Sequence, residues 1–358
     1  MRHPLTRAVS ANVGAAPSAL CGGAGRVLLM RSPTSFPRRL RAIGLVLALA
    51  IGGSALTQAV AAQPAQAAQA QGAAQAAAHA ATQAATLTTT AATPLKSKTT
   101  APDPADFDPG LIISDYDFFN PDSMTEAGIQ AFLEGQDCRP KDGSPCLADF
   151  SQTTVSQPAE GPGHCTNYVG ARNETASRII AKVAAACTIS PRVLLVLLQK
   201  EQSLLTRPSA SGYLRATGYG CPDTADCDTK YFGFFNQVYN AAWQFRQYTQ
   251  EPDRTYKIGQ VDVGFNPNAE CGSSVVKIQN QATANLYNYT PYQPNRSALK
   301  SAASEGDGCS AWGNLNFWTF YTAWFGPSVT DPFPAFLGSC LNFAGGQPCL
   351  APRLLPRV

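Results

Sequence analysis

The sequence is poor in charge: Asp, Glu, Lys and Arg make up 14% of its 358 residues, against about 25% in an average soluble protein. Histidine is scarcer still, at positions 3, 79 and 164 only. The chain has no Gly-rich phosphate loop and no H-E-x-x-H, which removes P-loop nucleotide chemistry and the zincin arrangement. It has no G-x-S-x-G, so no α/β-hydrolase elbow. It has no C-x-x-C, and with so few histidines neither a zinc site nor any other metal or cofactor is expected. Positive charge is also scarcer than the formal +3 suggests. Residues 1–62 hold seven Arg and no acid, leaving 20 Lys and Arg against 24 Asp and Glu in the remainder, a balance of −4. Such a body lacks the basic face that phosphate backbones need, and nucleic acid is excluded as a partner.

What is present begins with a targeting segment. Arg38-Arg39-Leu40-Arg41 precedes ten apolar or Gly residues, Ala42 to Ile51, and Ala59-Val60-Ala61 supplies a small-x-small cleavage signal. This is the layout of a secretory signal peptide, and the run is too short for the ~20 apolar residues of a membrane span. The expectation is a secreted, cell-wall-associated protein that meets the membrane only through this transient signal. Met30 lies eight residues before Arg38 and reads as the true start. Residues 63–106 are an Ala/Gln/Thr stretch that cannot bury enough apolar surface to offset chain entropy, and read as a disordered linker.

Beyond the signal ten cysteines remain, Cys138, Cys146, Cys165, Cys187, Cys221, Cys227, Cys271, Cys309, Cys340 and Cys349. An even number in an exported chain implies disulfides. Ten thiols allow roughly 945 pairings; neighbour pairing is the expectation, 138–146, 165–187, 221–227, 271–309 and 340–349. Full pairing leaves no free thiol for a papain-like site, despite His164 beside Cys165.

The folded part begins near Phe107 and is expected to run to residue 326, with 107–160 an accessory N-terminal part and 327–358 a Pro-rich tail. Asp115 to Asn120 reads as a loop. Ser123-Met-Thr-Glu126 reads as a capping box opening a short helix. Ile179, Ile180, Val183, Ala184 and Cys187 recur at helical spacing. Ser190-Pro191 then offers an N-cap and a first-turn proline for a helix over 191–205, apolar on all sides from Val193 to Leu198 and so expected to cross the core. Further helices are expected over 233–250, near 277–288 and over 317–325, the last an aromatic core helix, with a hairpin around Val261 and Val263. The fold class is mainly α, an α+β arrangement with one minor β hairpin and disulfide-tied loops. A monomer is expected.

Among the carboxylates, Glu201 stands out. It ends the all-apolar helix, where a buried rod would deliver it to a cleft lined by core. A carboxyl held there loses hydration, which favours its protonated form, as a general acid for glycosidic cleavage requires. The competing reading is a surface Glu paired with Lys200 or with nothing. Asp223, Asp226 and Asp228 crowd the small Cys221–Cys227 loop. They could supply the second carboxylate of a hydrolase, or belong to a solvated turn.

The segment Leu194 to Ser203 (LLVLLQKEQS) resembles the catalytic-Glu helix of the lysozyme-like superfamily, especially soluble lytic transglycosylases and goose-type lysozymes. Those have Glu-Ser where Gln202 here intervenes before Ser203. Gly233-Phe-Phe-Asn-Gln237 looks like their Gly-Leu-Met-Gln element, and Ala284-Asn-Leu-Tyr-Asn-Tyr-Thr-Pro291 resembles their Ala-Tyr-Asn-Ala-Gly segment, in the same order. Residues 107–326, with the run Ala216 to Asp228, also resemble a secreted actinobacterial family sometimes labelled haemagglutinin. The resemblance implies a lysozyme-like helical domain acting on peptidoglycan or another cell-wall glycan. The bond would be the β-1,4 link between N-acetylmuramic acid and N-acetylglucosamine, with Glu201 as acid and base. Tyr219, Tyr231, Phe234, Tyr287, Tyr289 and Tyr292 cluster around these three segments, where their faces could stack on pyranose rings or simply pack in the core. Ser203, Asn236, Gln237 and Asn288 are further candidates for the sugar cleft. For Asn236 and Gln237 the alternative is that one satisfies a buried backbone group. The alternative function is a silent carbohydrate-binding or adhesive protein on the same fold.

Overall fold

Nine α-helices, two small antiparallel sheets and four disulfides make up the described part of the molecule. The computed structural model describes residues 101–222, 225–251, 253–300 and 306–331, with Phe333 and Leu341. The signal segment, residues 63–100 of the Ala/Gln/Thr linker, Asp223 and the expected Cys340–Cys349 pair lie outside these residues. The last part of the stretch read as linker is ordered, with Pro104–Asp106 a 3-10 turn capped by the Asp103 carboxylate, which accepts from Ala105 N. No helix of the described residues is long and apolar enough to cross a membrane.

The helices are α1 (Asp115–Phe118), α2 (Glu126–Glu134), α3 (Ala176–Cys187), α4 (Pro191–Gln202), α5 (Ala210–Leu214), α6 (Phe234–Gln250), α7 (Gln281–Tyr289), α8 (Arg296–Lys300) and α9 (Gly313–Phe325). Helix α4 runs through the middle. Val193 to Leu198 are all at most 1% exposed, and α3 and α9 pack against it. That is the outcome for a helix without a polar stripe, whose every side must find an apolar neighbour. Helix α3 closes one flank with Ile179, Ile180, Val183 and Ala184 buried, and α6 lies across α3 while α7 lies across α6. Trp318, Phe317 and Tyr321 of α9 are buried, as expected of that aromatic run.

The sheets are minor. Ser151–Gln152 (β1) pairs with Glu174–Thr175 (β2). Gly259–Gly264 (β3) pairs with Ser273–Ile278 (β4), with Val261 opposite Val276 and Val263 opposite Ser274. Val263, Val276 and Ile278 reach the core. The four described disulfides join 138–146, 165–187, 221–227 and 271–309, the expected neighbour pairs.

Several boundaries differ from the sequence reading. Asp115 to Phe118 is a short helix rather than a loop, because the Ser114 hydroxyl accepts from Asp117 N and caps it. The Ser123 capping box does not form. Thr125 is the N-cap of α2, and the Ser123 hydroxyl meets the Ser190 hydroxyl at 2.8 Å instead. Helix α4 stops at Gln202, not 205, since Ser203 turns left-handed at φ 55° and Leu204 and Leu205 fold back into the core. Residues 277–278 belong to β4, and α7 starts at Gln281 because Asn280 caps it by accepting from Thr283 N. The chain also stays attached beyond Pro327. Ser114 N donates to Ser328 O, and Thr330 N and Oγ1 donate to Asp117.

Candidate active site

The end of α4 is held from both sides of its last turn. Gln199, 8% exposed, donates from Nε2 to Thr206 Oγ1 at 2.9 Å and accepts from Leu205 N at 3.2 Å. The reversal through Ser203 is thereby stitched to the helix, and Lys200 and Glu201 project from a rigid terminus. Glu201 lines a cavity of about 410 Å³ with Lys200, Thr217, Gly218, Cys221, Tyr289, Thr290, Pro291, Tyr292, Gly313 and Asn316. A second cavity of about 370 Å³ adjoins it through the shared residues Gly218, Cys221 and Tyr289. Its remaining walls are Tyr219, Gly220, Pro222, Tyr231, Gln244 and Tyr248. Each volume lies within the ~300–1,000 Å³ of small-ligand sites. Together they form a groove on either side of the Gly218–Tyr289 junction.

Glu201 is neither buried in apolar surroundings nor free in solvent. Its side chain is 24% exposed, and Lys200 Nζ donates to its Oε1. The expected wholly apolar setting is thus corrected: the lysine next in sequence is the carboxylate's first neighbour. The pairing offered as the surface alternative exists, but inside the cavity wall, with Lys200 only 5% exposed. The floor beneath is Gly218, at φ +73°. A Cβ there would sit 3.5 Å from Glu201 Oε2, so the bare backbone leaves that oxygen open to the groove.

That floor is set by Gln237. Fully buried at the first turns of α6, it accepts at Oε1 from Thr217 N and Tyr219 N and donates from Nε2 to Tyr219 O and Tyr231 O. Gln237 therefore satisfies buried backbone instead of facing the sugar cleft, and it fixes the loop under Glu201. Replacing it with Leu would leave two amides and two carbonyls unpaired. At ~1–3 kcal/mol for a buried group left unsatisfied, the expected loss of stability is at least about 3 kcal/mol, read as a fall in denaturant midpoint.

The remaining assigned residues divide. Tyr219 and Tyr231 line the second cavity, with ring centroids 4.7 Å apart and planes at 86°. Burial and the neighbouring Tyr231 push the Tyr219 phenol well above its ordinary value. Tyr289 stands between the cavities and donates to Thr217 O at 2.8 Å. Burial, and next the charge of Glu201, hold it as a neutral phenol. The others are placed elsewhere. Phe234 is buried against Phe150, and Tyr287 is buried and donates to Pro109 O. Asn288 donates to Tyr256 O and Ala284 O, and Asn236 donates to Phe232 O. Ser203 is the left-handed cap described above. Asp226 and Asp228 are exposed and line neither cavity; Asp228 caps the turn Thr229–Tyr231 and pairs with Lys230. Glu201 is thus the only carboxylate among the described residues that line the groove.

Sequence reasoning missed Lys200, Thr217, Gly218, Tyr248, Thr290 and Asn316 as wall residues. Gly218 lay within the run singled out, Ala216 to Asp228, where two glycines flank Tyr219 as a turn signal.

Residues 111–334 match the family described as LasA, N-terminal domain. The chain belongs to that family. The matched span contains α4, both cavities and all four described disulfides, so the groove is a feature of this LasA N-terminal domain and not of an appended segment. No curated protein and no solved structure matches the chain. The paired cysteines fit an exported protein.

Proposed function

We propose that this domain is a secreted enzyme that cleaves the β-1,4 glycosidic bond of peptidoglycan, with Glu201 as general acid and then general base. The observation that carries the reading is the Glu201 carboxylate, the only one among the described residues lining the groove, delivered by a buried helix and with tyrosines along one arm of the groove. The tyrosine rings offer faces for pyranose stacking, and hydroxyls other than that of Tyr289 offer donors for acetamido groups. The three segments that resemble lytic transglycosylases are the end of α4, the start of α6 and the end of α7. The first and third line this groove, and the second supports it only through Gln237, which holds the loop beneath Glu201; this order and placement support a lysozyme-like assignment.

That no second carboxylate lines the groove among the described residues favours transglycosylation over hydrolysis. A retaining hydrolase needs a second carboxyl about 5–5.5 Å away and an inverting one about 6.5–9.5 Å away. Here Glu201 protonates the leaving oxygen, then takes the proton of the sugar's own 6-hydroxyl as that oxygen attacks the anomeric carbon. The product carries a 1,6-anhydro end. The test is a zymogram with the secreted chain on purified peptidoglycan. Clearing is the expected result. Binding to sacculi without clearing would make the domain a silent carbohydrate-binding or adhesive module, and failure to bind would leave a structural envelope protein.

A further inference from the structure

Lys200 takes no part in the proton transfers above, yet it is nearly buried in the groove wall and held by two hydrogen bonds. Its side chain is 5% exposed. It lines the Glu201 cavity and is the only cationic side chain among the described residues lining either one. Its Nζ donates to Glu201 Oε1 and, at 2.9 Å, to Thr290 Oγ1. Thr290 is itself held, because Asn314 Nδ2 donates to Thr290 O at 2.9 Å. Gly313 closes the space behind, where a Cβ would stand 2.4 Å from Thr290 Cγ2 and 3.7 Å from Lys200 Nζ. Three elements thus converge on one ammonium: the end of α4, the segment after α7 and the start of α9.

We infer that Lys200 is a positioning residue that occupies Glu201 Oε1 and so assigns the proton-transfer role to Oε2, the oxygen facing the bare backbone of Gly218. This rests on the acid/base reading of Glu201. An ammonium has donors and no acceptor, so a proton on Oε1 would face Nζ with nothing to receive it. The proton that reaches the glycosidic oxygen leaves from Oε2, as the bond from that oxygen to the anomeric carbon breaks. The carboxylate then formed lies against the fixed ammonium, which stabilises charge as it develops without reorganising. In the second half, Oε2 takes the 6-hydroxyl proton as the new bond to the anomeric carbon forms, and the carboxylic acid is regenerated. No co-reactant enters. Tyr289, which feels the charge of Glu201, stays neutral and donates away to Thr217 O.

The test is steady-state kinetics of peptidoglycan cleavage by the full chain. Lys200→Met is expected to lower kcat by roughly 10²-fold, the scale of removing one preorganised donor, with KM within about threefold because the ammonium acts on the transition state. Thr290→Val, which keeps the charge and removes only the anchor, is expected to lower kcat about tenfold. Thr290→Ser, which keeps the hydroxyl, recovers most of it. If Lys200→Met does not fold, the Thr290 pair decides. Wild-type kcat in both Lys200→Met and Thr290→Val overturns the inference. So does a rise in KM at constant kcat, which makes Lys200 a substrate contact, or a fall in rate that tracks only the fraction folded. An unmodified chain that cleaves nothing overturns the acid/base reading itself, and this inference with it.

Discussion

Glu201→Gln is expected to lower the rate of peptidoglycan cleavage by about 10²–10⁴-fold, the usual weight of a positioned general acid/base. The carboxamide keeps the shape and an oxygen that can accept from Lys200 Nζ, but it carries no transferable proton. The stability cost is expected near 1 kcal/mol, because Glu201 is one-quarter exposed and its pair with Lys200 is partly solvated. Rate and stability therefore separate, and that separation is the diagnostic. Dye release from labelled sacculi, set beside a thermal melt of the same preparation, reads both. Equal rates in the two proteins would remove Glu201 from the mechanism.

The second large effect is expected far from the groove, at Glu174. This residue is 1% exposed in β2. Lys182 Nζ and Thr154 Oγ1 donate to its carboxylate, and Tyr168 OH donates to Oε2 at 2.7 Å. Arg178 Nε stands 3.5 Å from Oε1. Thr154 Oγ1 also accepts from Ala171 N, and Lys182 Nζ lies 4.3 Å from the Tyr168 ring centroid. One carboxylate thus ties the irregular 151–175 segment to α3, the flank against which α4 packs. Glu174→Ala removes the shared acceptor of Lys182, Thr154 and Tyr168, while Lys182 keeps Val169 O and is 27% exposed, so the expected loss is about 3 kcal/mol, the low end of the scale for breaking a buried pair.

The pH dependence has a defined sign. Burial opposes the charge on Glu174, but the Lys182, Thr154 and Tyr168 hydrogen bonds outweigh it and hold the carboxyl below its ordinary value. A depressed carboxyl stabilises the fold above the unfolded value, ~4.3. That contribution is lost as pH falls through the folded value. The difference in denaturant midpoint between wild type and Glu174→Ala should therefore be full at neutral pH and shrink below about pH 4. A difference that stays constant from pH 7 to pH 3 would mean that packing, not charge, accounts for the loss.

What the sequence made legible follows from how local each signal is. The unbroken apolar run from Val193 to Leu198 could only belong to a central helix, and it led directly to Glu201. The disulfides followed neighbour order because each loop closes over a short span, from 6 to 38 residues. Glu174 carried no signal at all. Its partners Thr154, Tyr168 and Lys182 are spread over the chain in no helical or strand register, and only the folded loop gathers them. Gln237 was singled out as a polar residue in an apolar run, but whether such a side chain faces a ligand or buried backbone depends on a loop twenty residues earlier. The Ser123 capping box failed for a comparable reason: Ser190, brought alongside by the packing of α4, took the hydroxyl, and Thr125 stood ready as the cap.

The most direct test of the central claim is product analysis after digestion of peptidoglycan in ¹⁸O-labelled water. If Glu201 alone serves as acid and then base on the sugar's own hydroxyl, the released fragments end in 1,6-anhydro-muramic acid and carry no label. Reducing ends bearing ¹⁸O would mean that water is the nucleophile and a second carboxylate is at work, and the single-carboxylate account would be wrong.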